Sequence, residues 1–436
     1  MSAISDDILV DIFARLPARS ICALRCVCKS WLNIITHPSF VKIHHDYAIH
    51  KNKSSLLLIN NLDKRIYSVV DYEASLRTAA AFVVDYPFKS PDYGVQFWAT
   101  CNGLLCMATG KDIICIWNPS TQEYKKIELM NTSVNEEYAL SGTFRYGLGY
   151  DSNIDDYKLV RILGYYDNAI TPRWILKLRD PIYRDDGCGV EVYTLGTNSS
   201  KCIPSCFPYA FCCQSSTSVF YRGGLHWIAE KNWKGRNYKP KIVSFDVSNE
   251  TFEVPLLQHL DRELDLPVED ISLNLSVWRG QLCLHVHYAW KRSELWVMQD
   301  YGVVESWTKL VSITEETIAQ SNKLRPIQYF SNGEILFEKN NLTLVLYDPK
   351  LEKPSYPAAE KLFKAERYVT NLVSLNTRTF VGQEQKQKKK RKSIIKHHGV
   401  TRFGASSSVE ASPPATPPPT PALATTTSSS KAAAQS

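Results

Sequence analysis

The chain has 436 residues, of which 44% are apolar and 11% aromatic, so a sizeable core can form. Its net charge of +7 resides in residues 383–436, where nine basic side chains face two acidic ones, and the balanced remainder excludes nucleic-acid binding by bulk charge. The longest apolar run, Ala79 to Val84, is too short to cross a bilayer, so we expect neither a membrane nor a specific nucleic acid as partner.

The N-terminus indicates the expected compartment. It has no basic segment of a secretory signal, and Asp6 and Asp7 follow early. We therefore expect the protein in the cytoplasm and/or the nucleus, with its 12 cysteines as reduced thiols packed like small apolar residues.

Residues 4–41 are predicted to be helical. Ser5 is a suitable N-cap for a first helix that ends at Pro17, and a second helical run opens at Ser20 and closes at Pro38. About 40 residues are too few to bury the apolar faces of such helices. We expect the head to pack on the next domain or on a partner.

From residue 54 the apolar period changes to two, which predicts strands. An aromatic residue ends the strand before successive turns at intervals of about 50 residues, with one longer interval that fits an insertion at Asp167–Gly187. These aromatic residues are Tyr67, Trp117, Tyr193, Phe245, Trp296 and Tyr347. A unit of this length with four strands is a propeller blade, so six blades are predicted. The apolar segment Tyr368–Leu375 is predicted to complete the first blade and close the ring.

The end of the chain is predicted to be disordered. Residues 379–436 contain a basic run followed by Pro-, Ser-, Thr- and Ala-rich sequence, which cannot bury enough apolar surface to offset the entropy of ordering.

Three stretches of the head, Ile8–Ser20, Leu24–Trp31 and His37–Phe40, carry a specific spacing of RLPxxS, RCVCKSW and PSF. This spacing resembles the F-box, a three-helix motif of ubiquitin ligase receptors. The head departs from the family at Ile4-Ser5, where a Leu-Pro pair is usual.

The body carries five further motifs, at Cys101–Cys106, Trp117–Thr121, Tyr146–Asp151, Asp156–Arg161 and Ser306–Leu310. They resemble the kelch-like F-box-associated domain of large plant F-box families. The motif order and the short tail after Leu375 are most similar to F-box proteins that limit the level of plant immune receptors.

The resemblance implies a mainly β protein with three parts. A small three-helix F-box occupies residues 1–45. A kelch-like β-propeller of about six four-stranded blades, closed by a C-terminal strand, occupies 46–378. A disordered tail occupies 379–436.

The implied function is that of a substrate-recognition subunit of an SCF-type E3 ubiquitin ligase, with a target in plant defence regulation. Its F-box binds a Skp-type adaptor and, through it, a cullin and a RING subunit, whereas its propeller binds an unidentified target protein. Two alternatives stay open: a non-degradative scaffold that sequesters a protein, and a sensor of a small ligand. The implied adaptor contacts are Ile8, Leu9, Ile12, Leu16, Pro17, Leu24, Val27, Cys28 and Trp31, although this stripe could instead dock on the propeller.

Two long polar stretches are predicted to hold the target, Asp167–Gly187 and Lys231–Lys241. Both are rich in the Arg, Trp and Tyr residues that dominate protein interfaces. The stretch Lys231–Lys241 is also basic, which favours an acidic partner. Their candidate contact residues are Arg173, Trp174, Arg179, Tyr183, Trp233, Arg236 and Tyr238. The alternative is that both stretches are surface loops without a partner.

No catalytic residue, metal site or cofactor is predicted. The sequence has no nucleophile elbow, phosphate loop or HExxH motif, and its cysteine clusters lack the paired spacing of a zinc site. His285 and His287 share one face of a strand, which is typical of strand residues and insufficient for a metal without a third ligand.

The tail carries one further candidate signal. Lys388, Lys389, Lys390, Arg391 and Lys392 resemble a nuclear import signal, and the alternative is a solvated basic tail.

Overall fold

The computed structural model describes most of the head and body of the chain. The described residues are 4–51, 54–60, 65–70, 81–89, 94–109, 113–128, 142–165, 190–203, 210–211, 217–230, 240–253, 271–314, 321, 323–356 and 363–375. All of them belong to one unit, Met1–Gln385. The predicted tail, with its import signal at 388–392, lies outside the described residues.

The head contains four helices where the sequence predicted three. They are α1 (Asp6–Ala14), α2 (Ala18–Leu24), α3 (Lys29–Thr36) and α4 (Pro38–His50). Pro38 does not close the helical region as expected, because it occupies the first turn of α4, where a missing N–H costs nothing. Ser5 does lie at the N-cap of α1, but its side chain makes no capping hydrogen bond.

The body consists of six antiparallel sheets in its described part, and these are the predicted blades. Strands are numbered in chain order, and each blade runs from its first strand to its fourth. Blade 1 is β25 (Phe363–Val369), β1 (Ser54–Asn60), β2 (Ile66–Val70) and β3 (Ala81–Val84); blade 2 is β4 (Val95–Cys101), β5 (Leu104–Thr109), β6 (Ile113–Asn118) and β7 (Glu123–Lys126); blade 3 is β8 (Gly142–Asp151), β9 (Asp156–Tyr165), β10 (Val190–Thr194) and β11 (Ser199–Ile203).

The remaining blades follow the same order, except that the first strand of blade 4 is split in two. Blade 4 is β12 (Ala210–Phe211) and β13 (Val219–Tyr221), which both pair with β14 (Gly224–Glu230), then β15 (Pro240–Asp246) and β16 (Thr251–Glu253); blade 5 is β17 (Ile271–Trp278), β18 (Gln281–Tyr288), β19 (Arg292–Met298) and β20 (Trp307–Ile313); blade 6 is β21 (Leu324–Tyr329), β22 (Ile335–Lys339), β23 (Thr343–Asp348) and β24 (Lys353–Ser355).

The repeating aromatic residues occupy one structural position. Tyr67, Trp117, Tyr193, Phe245, Trp296 and Tyr347 all lie on the third strand of their blade. Apolar clusters join every pair of neighbouring blades, for example Leu57 of blade 1 with Leu105 of blade 2, and Leu336 of blade 6 with Leu56 of blade 1. The predicted six-bladed ring is therefore closed by side-chain packing.

Ring closure is confirmed, but the closing strand lies earlier than predicted. β25 pairs antiparallel with β1, from Ser54 opposite Val369 to Asn60 opposite Phe363. Of the predicted segment Tyr368–Leu375, only its first two residues are in this strand. The following residues, 370–375, leave the sheet and contact the head and blade 2; we call them the C-terminal strap.

Among the cysteines that the structure describes, one differs from expectation. Cys22, Cys26, Cys28, Cys101, Cys106, Cys115 and Cys283 are free thiols, as predicted. Cys202 is disulfide-bonded, so the expectation of reduced thiols is wrong there. Cys202 is exposed at the end of β11, outside the core that was expected to hold it as a small apolar residue.

Within the described part of the chain, none of the helices is both apolar enough and long enough to cross a membrane.

Candidate functional site

The predicted adaptor residues divide into an exposed and a packed group. Ile8, Ile12 and Val27 leave 54%, 45% and 58% of their surface in solvent, and Pro17 and Cys28 are exposed as well. Leu9, Leu16, Leu24 and Trp31 are half-buried and pack against the helical core. The exposed group, which we call the apolar stripe, can contact a partner without unfolding the head.

The helical core explains why the other residues face inward. Phe13 packs edge-on against Trp31 with ring centroids 5.0 Å apart, and against Phe40 at 6.4 Å. Ile21 and Ile35 are fully buried beside them. Trp31 therefore helps to hold the helices together, a role that the sequence could not separate from adaptor binding.

Sequence reasoning did not assign two further exposed residues to the partner surface. Ile4 precedes α1 with 59% of its surface exposed, and Leu32 on α3 exposes 39%. Helical spacing was the available signal for both, since Ile4 lies four residues before Ile8 and Leu32 lies four residues after Cys28.

Cys28 has a structural contact in addition to its exposure. It is the N-cap of α3, and its sulfur accepts a hydrogen bond from the Trp31 backbone N–H at 3.5 Å. Beside the apolar stripe, Arg15 and Asp11 form an exposed ion pair at 2.8 Å, and hydrogen bonding and charge from Asp11 raise the pKa of Arg15.

The C-terminal strap attaches the head to the propeller. Leu372 is buried within the helical core, although it follows Ile35 and Phe40 by more than 300 residues in the chain. Cys22 of α2 also donates weakly to the Ser120 carbonyl of blade 2 at 3.7 Å. Burial raises the pKa of the Cys22 thiol, so it stays protonated and able to donate.

A buried asparagine pair holds the strap on blade 2. The Asn118 side-chain amide donates to the Asn371 side-chain oxygen and to the Val373 carbonyl, both at 2.8 Å. Asn371 also donates to the Asn102 carbonyl, next to Gly103. A Cβ on Gly103, whose φ is +83°, would lie 2.0 Å from the Val369 oxygen, so the Asn-Gly turn of the family motif is needed for this close approach.

The two ends of the propeller are therefore distinct. One end carries the head, and we call it the head end. It is formed by the turns that join first to second strands and third to fourth strands, such as those at Asn102 and Ser120. Turns from second to third strands lie at the opposite end, which we call the far end.

Topology relates the two predicted target stretches to each other. β9 and β10 bracket the stretch 167–187, and β14 and β15 bracket 231–241. Both are second and third strands of their blades, and blades 3 and 4 are neighbours. The bracketing strand ends thus face the far end side by side. Arg173, Trp174, Arg179, Tyr183, Trp233, Arg236 and Tyr238 themselves lie outside the described residues.

A central cavity of about 550 Å³ was not foreseen from the sequence. First strands from several blades line it, and Ile49 of α4 contributes from the head end. Its polar lining includes Arg279, which lies 4.7 Å over the Trp278 ring, and Arg325, paired with Glu366 at 3.3 Å. No local motif could reveal it, because its walls come from residues far apart in the chain.

His285 and His287 are buried strand residues, as the simpler prediction held. Burial lowers the pKa of His285 to about 3, and both of its ring nitrogens lack hydrogen-bond partners. The His287 ring instead contacts Ser293 Oγ at 2.6 Å and the Ser321 carbonyl at 2.8 Å. In the described residues no three His, Cys, Asp or Glu side chains are grouped so as to hold a metal ion.

Comparisons with known proteins agree with this architecture. Residues 1–43 match the F-box domain, and residues 30–396 match the F-box associated beta propeller domain. F-box protein CPR1 of Arabidopsis thaliana is 27% identical over 391 residues, covering 86% of this chain and 89% of CPR1. The F-box/kelch-repeat protein At3g23880 of the same plant is 25% identical, covering 85% of this chain and 95% of its own length.

These matches span both structural parts of the described chain. The F-box match covers α1 to α3, and the propeller match contains every blade together with the closing strand. The chain therefore belongs to the family of F-box proteins that carry an F-box associated beta propeller domain.

Proposed function

We propose that this chain is the substrate-recognition subunit of an SCF-type E3 ubiquitin ligase. The observation that carries the proposal is the apolar stripe, because Ile8, Ile12 and Val27 remain exposed while Leu372 of the strap packs into the core of the head. Exposed apolar groups that cluster on one face indicate a partner surface. The proposed partner is a Skp-type adaptor, which brings a cullin and a RING subunit.

The proposed role is non-catalytic. Transfer of ubiquitin needs a reactive cysteine or a positioned acid and base, which the partner subunits supply, and the receptor contributes proximity between them and the target. Under this proposal, the chain needs no cofactor of its own.

The target is proposed to bind at the far end of the propeller. This leaves the head end to the adaptor, so one chain can hold both partners at once. The candidate stretches 167–187 and 231–241 follow strands that point to the far end, and the basic composition of 231–241 suits an acidic target surface. In keeping with the resemblance of the sequence, we place the target among regulators of plant defence.

The proposed location is the cytoplasm and/or the nucleus, with residues 388–392 as the import signal. Replacing these five residues by alanine in a fluorescent fusion is expected to lower its nuclear fraction. An unchanged nuclear fraction would leave the basic run as a solvated tail.

Proximity labelling in cells tests the receptor function. Proteins labelled by a fusion of this chain should accumulate when the proteasome is inhibited, and their half-lives should lengthen when the chain is depleted. Labelled proteins whose half-lives do not change would favour a non-degradative scaffold.

A second candidate function is the sensing of a small ligand, and the central cavity favours it. Its volume of about 550 Å³ is within the range of small-molecule sites, and Trp278, Tyr329 and Arg279 offer stacking and charge at its wall. A ligand that binds there should raise the melting temperature with the logarithm of its concentration. A thermal-shift screen against carboxylates, sugars and phosphates would identify it, and no shift with any of them would exclude this function for those classes.

A further inference from the structure

The turn between the second and third strands of blade 5 has an unusual residue at its tip. The Lys291 N–H donates to the Tyr288 carbonyl at 3.0 Å, which makes residues 288–291 a β-turn with Trp290 in the third position. Trp290 has φ +63°. A positive φ at this position is ordinarily occupied by glycine or asparagine, because a side chain there is strained.

Trp290 is also unusually exposed. Phe88, the other aromatic residue with positive φ in the described part of the chain, packs against Tyr124 at 5.0 Å. Trp290 instead leaves 59% of its surface in solvent. The fold therefore accepts backbone strain here without gaining buried apolar surface in return, and strain of this kind concentrates at functional sites.

Hydrogen bonds to a buried residue fix the strained turn. The Trp290 N–H donates to the Ser321 carbonyl at 3.3 Å, and His287 contacts the same oxygen at 2.8 Å. Ser321 is fully buried. His287, which its sequence pattern identifies only as a strand residue, thus anchors the segment that holds the Trp290 backbone.

The same segment joins this turn to the corresponding turn of blade 6. Lys323 donates its N–H to Asn340 Oδ1 at 3.2 Å, and Asn340 donates its N–H to the Lys323 carbonyl at 2.8 Å. Leu342, in that second turn, exposes 42% of its surface. Two exposed apolar residues, Trp290 and Leu342, therefore lie on linked turns at the far end. We call the turns at 288–292 and 339–343, together with Lys323, the Trp290 surface.

The Trp290 surface is basic. Its turns contain Lys291, Arg292 and Lys339 and no acidic residue. Lys323 adds a further basic side chain, and burial, together with the charge of Arg325, lowers its pKa. Arg292 is paired with Glu294 at 2.9 Å, so its charge is already compensated within the blade.

We propose that the Trp290 surface is a docking site for an acidic peptide segment of the target protein that carries an apolar side chain. The apolar side chain packs on Trp290, and the carboxylates face Lys291 and Lys323. Tryptophan is enriched among interface residues that dominate binding energy, and charge complementarity favours an acidic partner. The inference rests on the proposed receptor function and names the chemistry of its target.

The test uses the full chain bound to its adaptor, with a random library of displayed dodecapeptides as the probe. Selected peptides should be enriched in Asp and Glu around a Leu, Phe or Trp, and a labelled consensus peptide should bind more weakly at high salt. Enrichment of basic peptides, of peptides without an apolar residue, or of none would overturn the proposal.

Two variants provide the decisive comparison. Trp290→Asn should weaken binding of the consensus peptide at least tenfold and should not lower the melting temperature, because asparagine suits a positive φ. The matched control is Leu351→Asn, which changes an exposed apolar residue on a turn at the head end and should leave binding unchanged.

Two results would contradict the proposal. Unchanged peptide binding by Trp290→Asn, or a lower melting temperature, would make Trp290 a structural residue without a docking role. Adaptor binding is measured on the same proteins. If the unmodified chain does not bind the adaptor, the receptor function is refuted. If it binds the adaptor but Trp290→Asn binds the consensus peptide as tightly as the unmodified chain does, only the docking site is refuted.

Discussion

Ile12 and Ile21 are chemically identical residues of the head with opposite surroundings. Ile12 exposes 45% of its surface, whereas Ile21 is fully buried beside Phe13. An exposed apolar residue contributes to stability only weakly, but it can dominate an interface. The structure thus separates the residues available for the proposed adaptor contact from those that hold the head together.

We predict that Ile8→Asp combined with Ile12→Asp weakens adaptor binding at least about 30-fold, since the loss of even one anchor residue costs about 2 kcal/mol or more. The melting temperature should stay within about 2 °C of the original, because neither side chain is buried. Isothermal titration calorimetry and thermal unfolding measure the two quantities.

The control for this prediction is Ile21→Ala. Removing a fully buried isoleucine should cost about 2–5 kcal/mol of head stability. If the exposed pair instead lowered stability as much as the buried residue while adaptor binding persisted, the assignment of the apolar stripe would be wrong.

The burial of His285 predicts that the free energy of unfolding depends on pH. Burial lowers its pKa to about 3, whereas an unfolded imidazole titrates near 6.5. Between these values the unfolded chain binds more protons, so His285 lowers stability as pH falls from 6.5 towards 3. From pH 6.5 to 5 the loss should approach about 2 kcal/mol.

The variant His285→Phe removes this proton linkage and fills a similar volume. Its unfolding free energy, measured by urea titration, should depend less steeply on pH between 6.5 and 5 than that of the original chain. At pH 7 it should be no less stable, because the imidazole has no hydrogen-bond partner to lose. Equal pH slopes for the two proteins would contradict the account.

Among the elements, β25 and the C-terminal strap have separate tasks. β25 pairs with β1 and closes the ring, whereas the strap supplies Leu372 to the head and Asn371 to blade 2. Shortening the chain stepwise from its C-terminus should therefore remove the two functions one after the other.

We predict three outcomes for these truncations. A chain that ends at Leu375 should melt within about 1 °C of the full chain, because the described contacts are kept. A chain that ends at Val369 should lose the packing of the head and melt lower. A chain that ends before Phe363 should melt lowest, since β1 then loses its partner strand and leaves an unpaired edge.

Circular dichroism and limited proteolysis distinguish the three chains. Head-specific cleavage in the chain that ends at Val369 would show that the strap holds the head. Equal melting temperatures for the chains ending at Leu375 and before Phe363 would refute closure by β25.

The regular elements could be predicted because their signals are local. Alternation of apolar residues and a repeating aromatic residue suffice to place the third strand of each blade. β25 has no such signal, because it carries Lys364, Glu366 and Arg367 in place of an apolar run. Glu366 is buried only because it pairs with Arg325 of another blade, a partner that no local pattern reveals.

The candidate site was predictable to a lesser degree. The adaptor residues follow from motif spacing, but their division into exposed and packed groups depends on Leu372, which is distant in the chain. Trp290 was not foreseen, because its significance depends on backbone conformation and exposure. Neither property is visible in a tryptophan between alanine and lysine.

For the whole molecule, the arrangement of the two ends matters most. The C-terminal strap packs Leu372 into the head and is held on blade 2 by hydrogen bonds from Asn118, and second-to-third strand turns lie at the far end. We predict that adaptor and target bind independently, so that saturating adaptor changes the affinity for a far-end ligand less than twofold.

Affinity for the far-end peptide, measured with and without adaptor, checks this independence. A change of tenfold or more would mean that the two sites are coupled, by a coupling free energy of about 1.4 kcal/mol. In that case, adaptor binding to the head would alter the far end of the propeller.

The most direct test of the receptor assignment is reconstitution of the complex from purified full chain, Skp-type adaptor, cullin and RING subunit. Size-exclusion chromatography with light scattering should show one species that contains each subunit once, and the Ile8→Asp, Ile12→Asp variant should elute apart from it. If the unmodified chain elutes alone at micromolar concentration while adaptor and cullin elute together, the assignment as an SCF substrate receptor is contradicted.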